Sequence, residues 1–594
     1  MARGVAGAAV LIGAITILAR ITGFVKQYVF AQTVGDTNVC LGSAYMTANQ
    51  IPNIVFEMVA GGALAGMVVP VIAGAAGRLD VGRIASALLT WVLVVLVPLG
   101  ALTALLAGPI IGLFPVAECG PAFGAIATRM LVVFAPQIPL YGLAVVLYGV
   151  LQSHHRFAGP AVAPLVSSIV VIVAYLLFVP LSGGRTALDE IPSAAELALS
   201  VGTSLGVLSL VLTVVGPVLG LGLRFRPTLR FPDGVAAKVR TLALAGVAAL
   251  IAQQATMIVV MLLSNHWIGE RGLLVYNYAW AIYLVPYAVL AVPIATSAFP
   301  GLSAHAADGS WEDFSSLAAR TTRAVVLISG LAAGALAAAA GPGSVVFLGA
   351  QTRVPPIEMA RAVALFAPGL IGYGMIAQLS RVLYAEGRSR AAAAGTVAGW
   401  VVAMLAQTVF VLALPDDWKV GGLALGMTVG MTAGGVWLLV AVRRGPWRRA
   451  GRPGAGTFGT GAGGTGAEAV SGEARAVDAV GPADRVARAA LAAVAGGGLG
   501  FLAGSGVVAL LPAGGMIAQV GLAVLAGGVA LVTGGLAVAA LDRPDAAALA
   551  SMVAGRAGGR LAGRAAGTVA GRLVGRVTGK GARRGRAGSR TDGE

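Results

Sequence analysis

Charge is what this sequence has least of. Asp, Glu, Lys and Arg make up 11% of its 594 residues, against about a quarter in ordinary soluble domains. With 58% hydrophobic residues and a mean hydropathy of +0.88, that scarcity excludes a soluble globular domain and a disordered chain. There are two cysteines, so a scaffold built on disulfides is excluded as well. The four histidines, His154, His155, His266 and His305, stand in or near expected loops without metal-ligand spacing or carboxylate companions. Gly-rich GTGAGGTG at 459–466 lacks the Lys-Ser/Thr that a phosphate-binding loop needs. No set of acid, base and nucleophile appears, so the expectation is a protein that is not an enzyme and needs no metal or cofactor. Strand-like alternation of period two is missing too, which excludes a membrane β-barrel.

What is present is a series of apolar blocks of about 20 to 30 residues, long enough to cross a bilayer as helices. Fourteen segments are expected, roughly at 5–30, 40–75, 84–114, 122–151, 158–182, 194–223, 240–265, 271–301, 321–348, 360–380, 391–415, 420–442, 486–511 and 515–541. The first apolar block shows no small-residue cleavage site, so no cleavable signal peptide is expected. The 86 glycines point to helices that approach closely at small residues. The fold class expected is therefore an all-α polytopic membrane protein.

The net charge of +17 is a matter of topology, not of nucleic acid. One set of connections carries Arg78 and Arg83; His154, His155 and Arg156; Arg224, Arg226, Arg230, Lys238 and Arg240; Arg320 and Arg323; Arg381, Arg388 and Arg390; and the arginines from Arg443 to Arg452. The alternate set is poor in basic residues: Asp36; Glu118; Arg185 with Asp189 and Glu190; Glu270 with Arg271; Arg353 with Glu358; and Asp416 and Asp417 with Lys419. The positive-inside rule assigns the basic set and both termini to the cytoplasm of a multi-pass protein in the cell membrane. The chain divides into an N-lobe (1–223), a C-lobe (224–443), a flexible Gly/Ala/Arg-rich linker (444–484), a terminal helix pair (485–542) and a basic tail (543–594). In the tail Arg556, Arg560, Arg564, Arg572, Arg576, Lys580 and Arg584 recur at intervals of four or eight. That is either a basic helical face for anionic lipid or, given the glycines, a disordered basic tail.

Ionisable groups at membrane depth are costly and mark cavities or pairs. Arg20 and Lys26 in segment 1, Glu57 in segment 2 and Arg129 in segment 4 are the candidates. Arg20 either snorkels, pairs with Glu57 or faces a cavity. In segment 2, Tyr45, Asn49, Asn53 and Glu57 recur every fourth residue and form one polar stripe, interrupted by Pro52. The stripe is a cavity wall or an interhelical hydrogen-bonded seam. Gln253, Gln254 and Asn277 complete the candidate substrate-binding set, and the aromatics Tyr276, Trp280, Tyr283 and Tyr287 share a helix face that reads first as an interfacial belt and second as a substrate platform. Cys40 and Cys119 both fall at extracytoplasmic ends, where either a disulfide or two free thiols can exist.

The stretches ARITGFVKQYVFAQTVG (19–35), NQIPNIVFEMVAGGALAGMVVPVIA (49–73) and YAWAIYLVPYAVLAVPIATSAFPGLS (278–303), with a weaker LYAEGRSRA (383–391), resemble the MurJ/MviN lipid II flippases of the multidrug/oligosaccharidyl-lipid/polysaccharide exporter superfamily, in their actinobacterial form. The resemblance covers about 1–442 and the terminal pair. It implies two six-helix lobes and transport of undecaprenyl-pyrophosphate-linked muropeptide (lipid II) from the inner to the outer leaflet by alternating access. A cationic central cavity would receive the pyrophosphate, and the terminal pair would hold the lipid tail. By position Arg20 matches the family's essential first-helix arginine, and Lys26 a second basic site. Relatives from Gram-negative bacteria carry basic residues where this chain has Phe56 or Glu57 and Ala281, and an aspartate where it has Ser43. The partners implied are the lipid-linked glycan and membrane lipids. The linker and tail are candidate docking sites for regulatory or cell-wall synthesis proteins. The alternatives are an exporter of another polyprenyl-linked glycan or an amphipathic drug, and a non-transporting scaffold for cell-envelope enzymes.

Overall fold

The computed structural model describes residues 2–35, 38–58, 78–185, 187–223, 225–230, 235–349, 353–445, 482–511 and 514–542. Most of the linker and all of the tail lie outside the described residues, as does the end of segment 2. Helices stand on all fourteen expected segments: α1 (Ala2–Phe30), α2 (Val39–Phe56), α3 (Arg78–Leu105), α4 (Ala107–Gly112), α5 (Gly120–Phe134), α6 (Gln137–Ser153), α7 (Ala158–Ser182), α8 (Ser193–Leu219), α9 (Val235–Leu263), α10 (Gly272–Pro286), α11 (Val292–Ala307), α12 (Trp311–Ala338), α13 (Ala340–Leu348), α14 (Pro356–Phe366), α15 (Gly369–Ala385), α16 (Ser389–Ala413), α17 (Lys419–Arg443), α18 (Pro482–Leu510) and α19 (Met516–Leu541). Among the described residues there is no strand. Eleven spans are long and apolar enough to cross a membrane, twelve with the bent pair α14 and α15. The two expected segments outside that tally are those of α1 and α2, the latter a helix of 18 residues.

Several segments hold two helices because proline breaks them. Pro136 and Pro368 each follow a Phe-Ala pair and divide α5 from α6 and α14 from α15. A proline removes an amide donor and crowds the preceding turn, so the ladder restarts at an angle, 42° in the second case. Pro286 ends α10, and a π-turn at Tyr287–Ala291 precedes α11.

The two breaks belong to a repeat between the lobes. FAPQIPLYG (134–142) and FAPGLIGYG (366–374) are in register, and the register continues to the ends of α6 and α15. There His155 (φ +58°) and Gly387 (φ +75°) occupy the same left-handed position. The next amide, that of Arg156 or Arg388, donates to the carbonyl of Leu151 or Leu383, at 2.8 Å in both cases. Each of these arginines then donates to a carbonyl in the last turn of its lobe's sixth segment, Arg156 to Pro217 O and Arg388 to Ala441 O. A left-handed residue followed by backbonding to the last turn is a helix stop, and the arginine satisfies a second helix end.

Packing separates two ends of the molecule. One continuous buried core runs through both lobes at the end that holds Phe30, Tyr45, Phe114, Phe123, Tyr278 and Phe347. A second cluster belongs to the N-lobe alone and joins α3 and α6 to α7 and α8 through Ile84, Leu88, Val150, Leu151 and Val214. The lobes are thus fused at the acidic end, while toward the arginine-rich end the N-lobe cluster stands apart from the core that continues down the C-lobe. The terminal pair packs on α12 at small residues: a Cβ on Gly334 would lie 2.4 Å from Gly497 O, so the backbones themselves are in contact.

Candidate functional site: a cleft between two lobes

The closed end is built from short polar latches. A disulfide joins Cys40, at the start of α2, to Cys119, with Cα atoms 5.6 Å apart. It fixes the turn carrying Glu118, whose carboxylate accepts the backbone N–H of Glu270 from the C-lobe at 2.8 Å. Gly269 (φ +92°) lies so close that a Cβ there would fall 2.2–2.6 Å from that carboxylate. Asn265 donates to Thr47 Oγ1 (3.2 Å) and to Phe114 O (2.9 Å). Gln32 donates to Phe347 O at 2.7 Å. Phe24 and Tyr28 meet the ring of Phe347, and Phe30 meets Tyr278. Two recesses of about 400 and 470 Å³ open beside these latches, with Glu118 in the wall of both. Ion pairs Arg271–Glu358, Arg361–Asp417 and Lys419–Asp416 edge the first of them.

Below the latches the stripe on α2 changes character along its length. Tyr45 is buried, and its hydroxyl bonds those of Tyr175 and Thr203 at 2.8 Å. Asn49 is half-buried, with a buried Oδ1 that has no partner among the described residues. Asn53 Oδ1 accepts from Tyr141 at 3.1 Å. The first three positions are therefore mainly a seam inside the N-lobe, as one of the two expected readings had it. Glu57 ends the stripe and is exposed. It interacts electrostatically with Arg20 of α1, with Tyr141 of its own lobe and with Tyr373 across in the C-lobe. Arg20 is exposed on α1, and through the links of Glu57 to Arg20 and Tyr373 the pair lies between the two lobes.

The C-lobe wall is aromatic. Tyr287 stacks on Tyr373 with centroids 4.0 Å apart; Tyr283 and Trp280 continue the column against Tyr373 and Phe366. Tyr276 and Tyr283 are 1% and 0% exposed, which overturns the reading of an interfacial belt: these rings pack inward, on the partner helices that follow the second Phe-Ala-Pro break. Arg381 of α15 donates to Ala377 O and Thr296 Oγ1, and interacts electrostatically with Tyr287.

The structure brings Arg20, Asn53 and Glu57 to one wall. Lys26 is half-buried on α1. Gln254 is 4% exposed and Gln253 half-buried on α9, and Asn277 spends its amide on Leu273 O of its own helix; no contact between these three and Arg20 or Glu57 is seen among the described residues. Arg129 is explained by a residue the sequence reading passed over: it forms a two-pronged ion pair with Glu196, at 3.0 and 2.7 Å. Tyr141 and Tyr373 were also missed, although their repeated Phe-Ala-Pro…Tyr-Gly frame was visible.

The sequence profile described as lipid II flippase MurJ matches residues 30–448. The chain belongs to this family. Its members act on a lipid-linked substrate, and its relatives confirm the architecture. The lipid II flippase MurJ of Burkholderia cenocepacia is 27% identical over 449 residues, which cover 72% of this chain and 82% of the relative. A solved lipid II flippase MurJ in an inward closed conformation superposes with a TM-score of 0.66 at 17% identity, covering 89% of this chain and 98% of that one. A multidrug resistance MATE family transporter of the MOP superfamily, solved inward-facing, gives a TM-score of 0.59 at 14% identity, over 75% and 100% of the two chains. The expected all-α polytopic fold and the expected family both stand.

Proposed function

We propose that this protein is a lipid II flippase that carries undecaprenyl-pyrophosphate-linked muropeptide from the inner to the outer leaflet by alternating access. The observation that carries the reading is the cleft: an exposed arginine, Arg20, beside Glu57, between lobes whose shared core lies at the opposite end. A pyrophosphate head cannot cross about 30 Å of hydrocarbon unaided. Arginine offers it charge-assisted, two-pronged bonds in a low-dielectric site. Arg381 supplies a cation on the facing lobe, next to the Tyr287–Tyr373 stack. The Glu57 carboxylate would hold Arg20 while the carrier is empty and yield it to the incoming phosphates. The latches at Glu118, Asn265 and Gln32 would then break as the cleft closes at the arginine-rich end.

In this reading the protein performs no bond chemistry and both termini face the cytoplasm. The linker and tail are where regulatory or cell-wall synthesis proteins would dock. A net positive cleft without its substrate is drawn inward by the resting potential, at about 2.3 kcal/mol per charge per 100 mV. The test is transport of lipid II into proteoliposomes with and without an inside-negative potential. The account expects faster turnover with it, and equal rates would remove the potential from the mechanism.

A further inference from the structure

The connection between the lobes is not a free loop at its start. Residues 225–230 lie along α3 and are pinned to it three times. The Arg226 amide donates to Ser86 Oγ at 3.0 Å, the Thr228 amide to Thr90 Oγ1 at 3.1 Å, and Trp91 Nε1 donates to Leu229 O at 3.0 Å. Ser86 and Thr90 in turn donate to carbonyls one turn back in α3. This is an extended strap held in register on a helix face.

The strap's depth is unusual for a polar backbone. The apolar span of α3 begins at Val81, so its anchors sit five to ten residues inside that span, about 7–15 Å along the axis. Arg226 and Arg230 are exposed on the strap, and Arg83 is exposed on α3, on the flank that Trp91 shares two turns further on. None of the three has a carboxylate partner among the described residues. Directly beside them the surface is apolar and open: Trp91 is 43% exposed, Leu229 48%, Val94 50% and Val95 51%. Three exposed guanidinium groups near an indole and a strip of aliphatic side chains match one kind of ligand, a phosphate head joined to acyl chains. A polar strap at this level sets the membrane boundary on α3 near Trp91 rather than at Val81, and there exposed arginines attract anionic lipid and tryptophan is favoured.

We propose that Arg83, Arg226 and Arg230, with Trp91 and Leu229, form a binding site for an anionic phospholipid on the outside of the N-lobe. The lipid's phosphate contacts the strap and its chains lie along α3. Because the strap begins the only covalent connection from one lobe to the other before α9, a lipid bound there ties that connection to the bilayer. The site is separate from the Arg20 cleft and does not depend on what the cleft carries.

The test uses the full chain in nanodiscs, with Trp91 as reporter. Its fluorescence is taken as the difference between wild type and Trp91→Phe. Brominated phosphatidylglycerol is compared with brominated phosphatidylcholine as quencher, at equal mole fraction in the same host lipid. The proposal expects stronger quenching by phosphatidylglycerol. It expects that preference to fall roughly fivefold for each of R83Q, R226Q and R230Q, while R226K/R230K keeps most of it. Excess inorganic phosphate leaves the quenching unchanged if the occupant is a lipid. Equal quenching by the two lipids, a preference that survives in the triple glutamine variant, or loss of the preference on adding phosphate would each overturn it. Circular dichroism melting of every variant in the same discs keeps a folding defect from passing as lost binding, and R226K/R230K retains the charge if a glutamine variant fails to fold.

Discussion

The two lobes share a frame and differ in their walls. Both break a helix after Phe-Ala-Pro, both place a tyrosine five residues beyond that proline, and both stop the following helix with a left-handed residue and an arginine that reaches the lobe's last spanning helix. What they display toward the cleft is not shared. The N-lobe shows charge, Arg20 and Glu57, and buries its tyrosine: Tyr141 is 9% exposed and bonds Asn53. The C-lobe keeps Tyr373 half-exposed and stacks it in a column of rings. The repeated parts are those that terminate and pack helices, and the unequal parts are those that can meet a substrate. A symmetric carrier skeleton thus presents a charged wall on one side and, on the other, an aromatic column edged by Arg381, which suits a ligand with a diphosphate and sugars side by side.

Substitutions can separate the shared frame from the unequal walls. Arg20→Ala has the largest effect: transport of lipid II falls by at least about two orders of magnitude, the loss expected when a charge-assisted contact of 3 kcal/mol or so is removed, with membrane abundance unchanged on immunoblots. Next, Tyr141→Ala and Tyr373→Ala part company. The buried N-lobe ring costs about 3–4 kcal/mol of stability, seen as a lowered melting temperature in detergent, whereas the C-lobe change lowers turnover more than it lowers melting. Equal effects on both readouts would contradict the contrast.

Removing the disulfide with Cys40→Ser and Cys119→Ser costs about 2–5 kcal/mol, since it closes a long loop; thiol titration of the denatured, unreduced wild type finds no reactive thiol. Gly269→Ala strains a left-handed residue and drives a methyl into the Glu118 carboxylate. It loosens the closed end, and a membrane-impermeant maleimide should label a Thr47→Cys reporter faster in that background. The smallest effects test the repeat itself. Gly387→Ala meets no neighbouring atom within 4 Å, so its loss of about 1 kcal/mol is pure backbone cost. His155→Gly, which copies the other lobe, gains up to about 1 kcal/mol. Opposite signs in urea or thermal unfolding support the equivalence, and matching signs argue against it.

Much of this was legible in the sequence. Segment positions and their alternation of charge needed only hydropathy and arginine counting, because the bilayer imposes a length and a polarity on every span. Arg20 and Glu57 stood out because isolated charges in apolar helices are rare. Other features depend on pairing between distant segments. Glu196 reads as an ordinary first-turn residue of α8 until Arg129 is seen against it. The aromatic face of α10 had the right periodicity for a belt and for a core, and only the position of Phe366 and Tyr373 decides between them. Gln253, Gln254 and Asn277 were chosen for polarity in the right segments. Polarity does not say which way a side chain points, and Asn277 turns its amide back onto its own helix. The repeat between the lobes is marked by the Phe-Ala-Pro…Tyr-Gly frame, which a reading segment by segment passes over.

The central claim is that a cationic cleft opened by separation of the lobes carries the diphosphate head of a lipid-linked precursor. Its most direct test is complementation of a strain depleted of its lipid II flippase, with the wild type and Arg20→Ala expressed side by side at matched membrane levels. The account predicts growth with the wild type and none with the alanine variant. Growth with both, or with neither, would contradict it.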